Sequence, residues 1–167
     1  MKILGIDPGI AITGFGILQL NEAGDPELVR YGVIDSTAVR ETSSRLVFLF
    51  DALQELLVTE KPDYCALEKL YFSKNITTGM RVSEARGVIE LCLAKNNVPV
   101  GEYTPNEVKQ SVTSYGNAAK KQVQEMVKVM LAMESIPKPD DAADALAIAL
   151  CHISHLRYER KISEVEA

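Results

Sequence analysis

Five carboxylates stand where a protein could use them for chemistry. Asp7 closes the apolar run Lys2-Ile-Leu-Gly-Ile6 just before Pro8-Gly9. Glu68 closes Tyr64-Cys-Ala-Leu67, and Asp140, Asp141 and Asp144 open a stretch rich in Ala, Leu and Ile. In open α/β sheets, ligand chemistry gathers beyond strand ends. Acids drawn together from distant parts of a chain repel one another, and only a cation makes such a cluster favourable at neutral pH. All-oxygen donors, with no set of His or Cys beside them, select Mg²⁺ or Mn²⁺ over zinc. On a helix, Asp141 and Asp144 share a face at i,i+3, and Asp140 and Asp144 share one at i,i+4. Spacing leaves both pairs open. Asp140, after Pro139, also suits the N-cap, and acids in a first turn are favoured by the helix dipole.

The two histidines do not join this set. His152 lies eleven residues beyond Asp141, about 16 Å along a helix axis at 1.5 Å per residue. His152 and His155 are expected at the surface or at an interface.

The elements that must position these acids can be read from hydrophobic period and turn chemistry. Residues 2–6 read as a strand stopped by Pro-Gly. Residues 12–20 and 28–35 read as two more, split by the turn signal "NEAGDP", so the three form an antiparallel meander. Leu46, Leu49, Phe50, Leu53, Leu56 and Leu57 then recur at three- and four-residue steps, which predicts a helix over 43–59 with Ser43 or Ser44 as its cap. A strand over 64–67 ends at Glu68. A helix over 77–95, a strand over 98–103 and helices over 105–111, 120–133 and 141–157 follow, with Thr104 capping the first of these last three. Residues 158–167 are polar and read as a frayed tail beyond a single domain spanning 1–157. The order βββαβαβα predicts an α/β fold: a central mixed sheet with helices on both faces.

Composition narrows the classes. The 167 residues are 47% apolar and 25% charged, ordinary for one globular domain. No apolar run reaches the roughly 18–20 residues of a membrane span. The chain opens directly on "KILGID" with no signal-peptide pattern, so no membrane partner and a cytoplasmic location are expected. Cys65, Cys92 and Cys151 form no CxxC pair and read as buried free thiols, which argues against a zinc site or a disulfide framework. Net charge is −5, yet residues 69–128 carry nine cations and five anions, leaving −9 elsewhere. A basic middle inside an acidic chain is compatible with a nucleic-acid face.

Six phrases carry a resemblance: "ILGIDPG" with "TGFG", "ALEKLYFSKN", "ARGV", "VKQSVT", "GNAAKKQVQ" and "DAADALAIAL". Together and in this order they resemble the RuvC family of bacterial Holliday junction resolvases, from Lys2 to about His152. The resemblance implies a ribonuclease H-like fold with five strands, a homodimer, and a Mg²⁺-dependent endonuclease that nicks two opposed strands of a four-way DNA junction symmetrically in recombination and repair. It places the family's four metal-binding, catalytic acids at Asp7, Glu68, Asp141 and Asp144, with Asp140 an additional acid beside the motif. It places the aromatic that stacks on unpaired bases at Tyr71, with Phe72 beside it. The DNA-contacting lysines fall at Lys109 and Lys120, with Lys121 a second candidate. The helix near 77–95 matches the element that pairs subunits, and a branch-migration motor complex is an implied partner.

For such a nuclease, water must attack phosphorus in line with the leaving 3′ oxygen. Two divalent ions about 3.5–4 Å apart can stabilise charge on both oxygens. Mg²⁺ is the expected ion, with Mn²⁺ able to substitute. Asp7 would bridge the pair, Glu68 would hold one side, and Asp141 with Asp144 the other. One of the helix acids, or a hydroxide carried by the metal, would activate the water. The lysines would supply a salt-sensitive affinity for phosphates. Competing readings are a nuclease of the same fold that processes structured RNA, a junction-binding protein that does not cut, and an actin-like phosphotransferase built on "DPGIAITGFG".

Overall fold

A computed structural model describes residues 1–69 and 76–165. The elements are β1 (Lys2–Asp7), β2 (Ile12–Leu20), β3 (Pro26–Asp35), α1 (Thr42–Glu60), β4 (Tyr64–Glu68), α2 (Ile76–Lys95), β5 (Val100–Tyr103), α3 (Pro105–Thr113), α4 (Lys120–Met130) and α5 (Asp140–Val165). One five-stranded sheet runs in the order β3-β2-β1-β4-β5. The expected meander is present: β1, β2 and β3 pair antiparallel. β4 joins β1, and β5 joins β4, both in parallel. The switch from antiparallel to parallel therefore falls on β1.

Successive strand residues point to opposite faces, and this splits the core in two. Leu4, Ile6, Phe15, Ile17, Cys65 and Leu67 pack with Leu53 of α1 and Ile89 of α2. Ile3, Leu18 and Ala66 point the other way, into Val108 of α3, Val127 of α4 and Leu146 of α5. Helices thus cover both faces of the mixed sheet. All three cysteines are buried and free.

Helix α5 explains its own alanine content. Ala142, Ala143, Ala145, Ala147 and Ala149 are buried, and the helix lies very close to the sheet where the strands carry glycine. A methyl group on Gly5 would sit 2.0 Å from the Ala145 carbonyl oxygen, and one on Gly14 would sit 1.9 Å from that of Asp141. Small residues on both sides let the two backbones approach.

Some helix ends differ from the sequence expectation. Thr104 caps α3 as expected: its hydroxyl accepts from the Glu107 amide at 3.2 Å, and the Glu107 carboxylate accepts from the Thr104 amide at 2.7 Å. Helix α1 instead starts after Glu41 with no side-chain cap, so neither Ser43 nor Ser44 serves. The Ala142 and Ala143 amides donate to the Pro139 carbonyl, which puts Asp140 inside the first turn of α5 and not at its cap. Helix α5 also runs on to Val165, so residues 158–165, expected to fray, form exposed helical turns. An Arg160–Glu164 pair at i,i+4 and 3.0 Å supports them.

Because Gly14 has no room above it, Gly14→Ala is expected to lower unfolding free energy by about 3 kcal/mol, the upper part of the range for overpacking. Urea denaturation of the two proteins measures it.

Candidate active site

The alternation that builds the two cores also aims the acids. Leu4 and Ile6 enter one core and Ile3 the other, so Asp7 faces α5. Cys65 and Leu67 share the first core and Ala66 the second, so Glu68 faces α5 too. β1 and β4 are in register through Ile6 and Leu67, which makes Asp7 and Glu68 neighbours at adjacent strand ends. Across β1 and β2, Asp7 pairs with Gly14. That glycine lies directly beneath the Asp141 carbonyl, so the close approach of α5 also brings its first turn to Asp7. The turn beyond Asp7 is fixed by Thr13, which is buried and donates its hydroxyl to the Gly9 carbonyl at 2.6 Å.

A cavity of about 240 Å³ opens at this point, lined by Asp7, Glu68, Asp144, Lys109 and Lys120 over a floor of Val108, Val123, Ala147 and Ile148. The Lys120 ammonium lies 2.8 Å from Asp144 and 3.5 Å from Asp140. Asp140 itself is exposed at the rim, whereas Asp141 is half-buried. Asp141 is not among the residues lining the cavity, but its charge reaches Asp7, as that of Asp144 does and that of Asp140 does not.

The electrostatics are those of a crowded anionic site. Burial, then the charges of Asp144, Glu68 and Asp141, push the Asp7 carboxyl up to about 8, against a pull from Lys120. Glu68 is raised by burial and by Asp144, with Lys109 and Lys120 opposing. Burial raises Asp144 as well, although its bond to Lys120 works the other way. Burial disfavours the Lys120 ammonium, but Asp144 and Asp140 outweigh that and raise its pKa. Partial positive charge at the start of α5 adds a favourable term for the acids there. Among the described residues, no three acidic, His or Cys side chains stand close enough to form a ready-made cage for an ion. The donor set nonetheless fits a hard divalent cation: it is all oxygen, and its acids crowd a buried strand end where a cation would relieve both burial and mutual repulsion.

Not every predicted residue reaches this cavity. Lys121 is exposed and lines a separate groove with Thr113, Tyr115 and Met126. Tyr71 and Phe72 lie outside the described residues. His152 corrects the sequence expectation: it is 5% exposed, not a surface residue. Its Nδ1 lies 2.7 Å from the Tyr103 hydroxyl, because α5 lies over the sheet and carries this side chain beneath Tyr64 and Tyr103. His155 is partly buried and packs on the Tyr103 ring at 4.8 Å. Sequence reasoning also gave no role to Gly14 or Arg86. The period-2 pattern of "GIDPGIAITGFG", with Gly5, Asp7, Gly14 and Gly16 on one face, carried the signal for the first. Nothing local carried it for the second.

Comparison with known proteins identifies the family and the fold. The sequence profile described as crossover junction endodeoxyribonuclease RuvC matches residues 3–152. A crossover junction endodeoxyribonuclease RuvC of Brevibacillus brevis is 53% identical over 91% of both chains. The Thermus thermophilus RuvC structure superposes with a TM-score of 0.87 at 31% identity, covering 95% of this chain and 97% of that one. The T. thermophilus RuvC in complex with Holliday junction substrate gives 0.85 at 30% identity over 95% and 96%. With its ribonuclease H-like sheet, its acids at the β1 and β4 ends, and a family match across nine-tenths of its length, the chain belongs to the RuvC family of crossover junction endodeoxyribonucleases.

Proposed function

We propose that this protein resolves four-way DNA junctions by metal-dependent hydrolysis of two opposed phosphodiesters, with Asp7, Glu68, Asp141 and Asp144 as its catalytic acids. The observation that carries the reading is Asp7: a strand-end acid whose carboxyl is pushed up to about 8 by burial and by three other carboxylates, beside two lysines, in a chain of this family.

Asp7 and Glu68 would hold divalent metal from the sheet, and Asp141 and Asp144 from the helix. Mg²⁺ is the proposed ion, two per site, with Mn²⁺ as a substitute. When bound, the metal would neutralise the acids and stabilise charge on the attacking and leaving oxygens. The chain's residues have separate tasks. The adjacent strand ends would hold Asp7 and Glu68 on one side of the scissile phosphate. Asp144, on the first turns of α5, would take the proton of the attacking water. Lys109 and Lys120 face the cavity as cations and would bind the phosphates flanking the cut. Release of Lys120 from Asp144 would free both groups. Lys121, on the neighbouring groove, would track the DNA backbone further out. Tyr71, three residues past Glu68 in sequence, is the proposed stacking partner of an unpaired base, worth about 1–3 kcal/mol.

Two cuts on opposed strands need two sites, so the proposed unit is a homodimer. Helix α2 is the proposed pairing element. Its Met80 and Leu91 are 60% and 56% exposed, and eleven residues is three turns, so they share one face. A branch-migration motor is the proposed partner that delivers junctions, and the cytoplasm is the proposed setting. Among the described residues no helix is long and apolar enough to cross a membrane.

A synthetic four-way junction, incubated with and without Mg²⁺ beside linear duplex of the same sequence, tests the reading. Paired symmetric nicks in the junction alone, lost in EDTA, are expected. Asp7→Asn should lower the rate by about 10³-fold or more, as loss of a group acting directly on the reaction does, while junction binding survives. Wild-type nicking by Asp7→Asn would remove Asp7 from the mechanism, and cutting of structured RNA but not of the DNA junction would favour the RNA-processing alternative.

The raised Asp7 has a second consequence. Its carboxyl ionises near 3.8 when unfolded and near 8 when folded without metal. Its contribution to stability is therefore complete below pH 4 and is lost as pH rises toward 8. The metal-free wild type should lose Tm across that window and Asp7→Asn should lose less, at about 2–4 °C per kcal/mol. Mg²⁺ binding at pH 7 should release protons and tighten as pH rises to about 8, which calorimetry in two buffers of different ionisation enthalpy reads directly.

Leu91→Asp is expected to shift the protein from dimer to monomer in sedimentation velocity, with junction cutting lost in parallel. An unchanged dimer would move the pairing surface off this face of α2.

A further inference from the structure

Arg86 is 9% exposed, on the side of α2 that packs against the sheet. Its guanidinium makes three separate contacts. One Nη donates to the main-chain carbonyl of Glu68 at 2.5 Å. The other Nη pairs with the Glu102 carboxylate. Nε pairs with Glu90, one turn along the same helix, at 2.8 Å. Glu68 ends β4, and Glu102 lies on β5, in register with Leu67. A single buried side chain thus ties α2 to the carboxyl ends of two parallel strands, at the residue that carries one of the site acids.

A buried guanidinium with one carboxylate would be balanced in charge. This one has two carboxylates, which hold its planar fork in place while one arm reaches a neutral carbonyl. Arg suits that task because its donors are fixed in one plane. The Glu68 main chain is thereby restrained on the α2 side. Its side chain faces the opposite side, into the cavity with Asp7 and Asp144. The ladder to β5 holds one edge of this strand end, with the Lys69 amide donating to the Tyr103 carbonyl at 2.7 Å, and Arg86 adds a second restraint on the peptide that carries the Glu68 side chain.

We propose that Arg86 is a positioning residue for the nuclease site: through the Glu68 carbonyl it holds the Glu68 carboxylate where it can share a divalent cation with Asp7, and it couples helix α2 to that site. The inference rests on the functional reading above. Residues that orient a metal ligand commonly change metal affinity or activity by about 10–100-fold when replaced.

The test uses the full chain, Arg86→Gln and Arg86→Lys, with three readouts: single-turnover junction cutting across a Mg²⁺ titration, Mn²⁺ binding by calorimetry without DNA, and junction affinity in EDTA. Arg86→Gln is expected to weaken Mn²⁺ binding and raise the Mg²⁺ midpoint by about 10-fold, to slow cutting by about 10–100-fold, and to leave junction affinity within about 3-fold of wild type. Arg86→Lys should recover part of the metal affinity, since it keeps the charge but not the fork. Should Arg86→Gln fail to fold, Glu102→Gln replaces it: this acid is largely exposed, and its loss slackens the fork, so a smaller shift in the same direction is expected. Metal binding and Mg²⁺ midpoint equal to wild type in Arg86→Lys and in whichever of the other two folds overturn the proposal, even when wild-type cutting is normal. A wild type that binds metal but does not cut junctions would overturn the functional reading and leave the Arg86 effect on Mn²⁺ affinity intact.

Discussion

At Gly5 and Gly14 a helix backbone and a sheet backbone meet with no side chains between them, and the working geometry follows from that contact. Carbonyls of α5 lie where methyl groups on Gly5 and Gly14 would otherwise be. The approach is possible because both strand positions carry glycine, with Ala145 and Ala149 over Gly5 and the Asp141–Ala142 backbone over Gly14. It sets the height of the first turn of α5 above the ends of β1 and β2 to within the width of one methyl group. A helix that packed through leucines would ride several ångströms higher, and its acids would stand clear of Asp7. The alanine run that looks like filler is what lets two aspartates reach a strand end.

The fold then holds those acids against their own repulsion. Asp7 and Glu68 are carried by adjacent strands in a paired ladder, and Asp144 by a buried helix, so none can swing away to relieve the field. Burial, and after it that repulsion, push the Asp7 carboxyl well above the usual carboxylate range. Lys120 offsets part of it by lying against Asp144 and Asp140. Packing energy elsewhere, chiefly the two apolar cores on either side of the sheet, sustains a local arrangement that is unfavourable by itself. Sites built for cations share this property, because charge density wanted with the ion present is a burden without it.

Several features are legible in order and type from the sequence. The meander, the long amphipathic α1 and the Thr104 cap all follow from signals within a few residues, and all are present. Errors fell where a short-range rule met a long-range contact. Asp140 has the right identity and neighbour for an N-cap, but the Pro139 carbonyl takes the first helical bonds. His152 is expected at the surface or an interface from its helical setting, yet the sheet passes under this part of α5 and buries it against Tyr103. Lys120 and Lys121 are indistinguishable in sequence; one turn angle on α4 sends the first to the acids and the second to another groove.

By itself the sequence determined which chemistry was available: carboxylates at element ends, no competing nucleophile or soft ligand set, and a run of phrases shared with one nuclease family. It also determined the elements, since strand and helix periods are written by contacts between near neighbours. Tertiary structure alone decided which of the acids meet, which lysine touches them, and that Arg86 reaches across to the Glu68 carbonyl. Those distances depend on strand order and on how closely one helix crosses two strands, and both are set by packing between residues tens of positions apart.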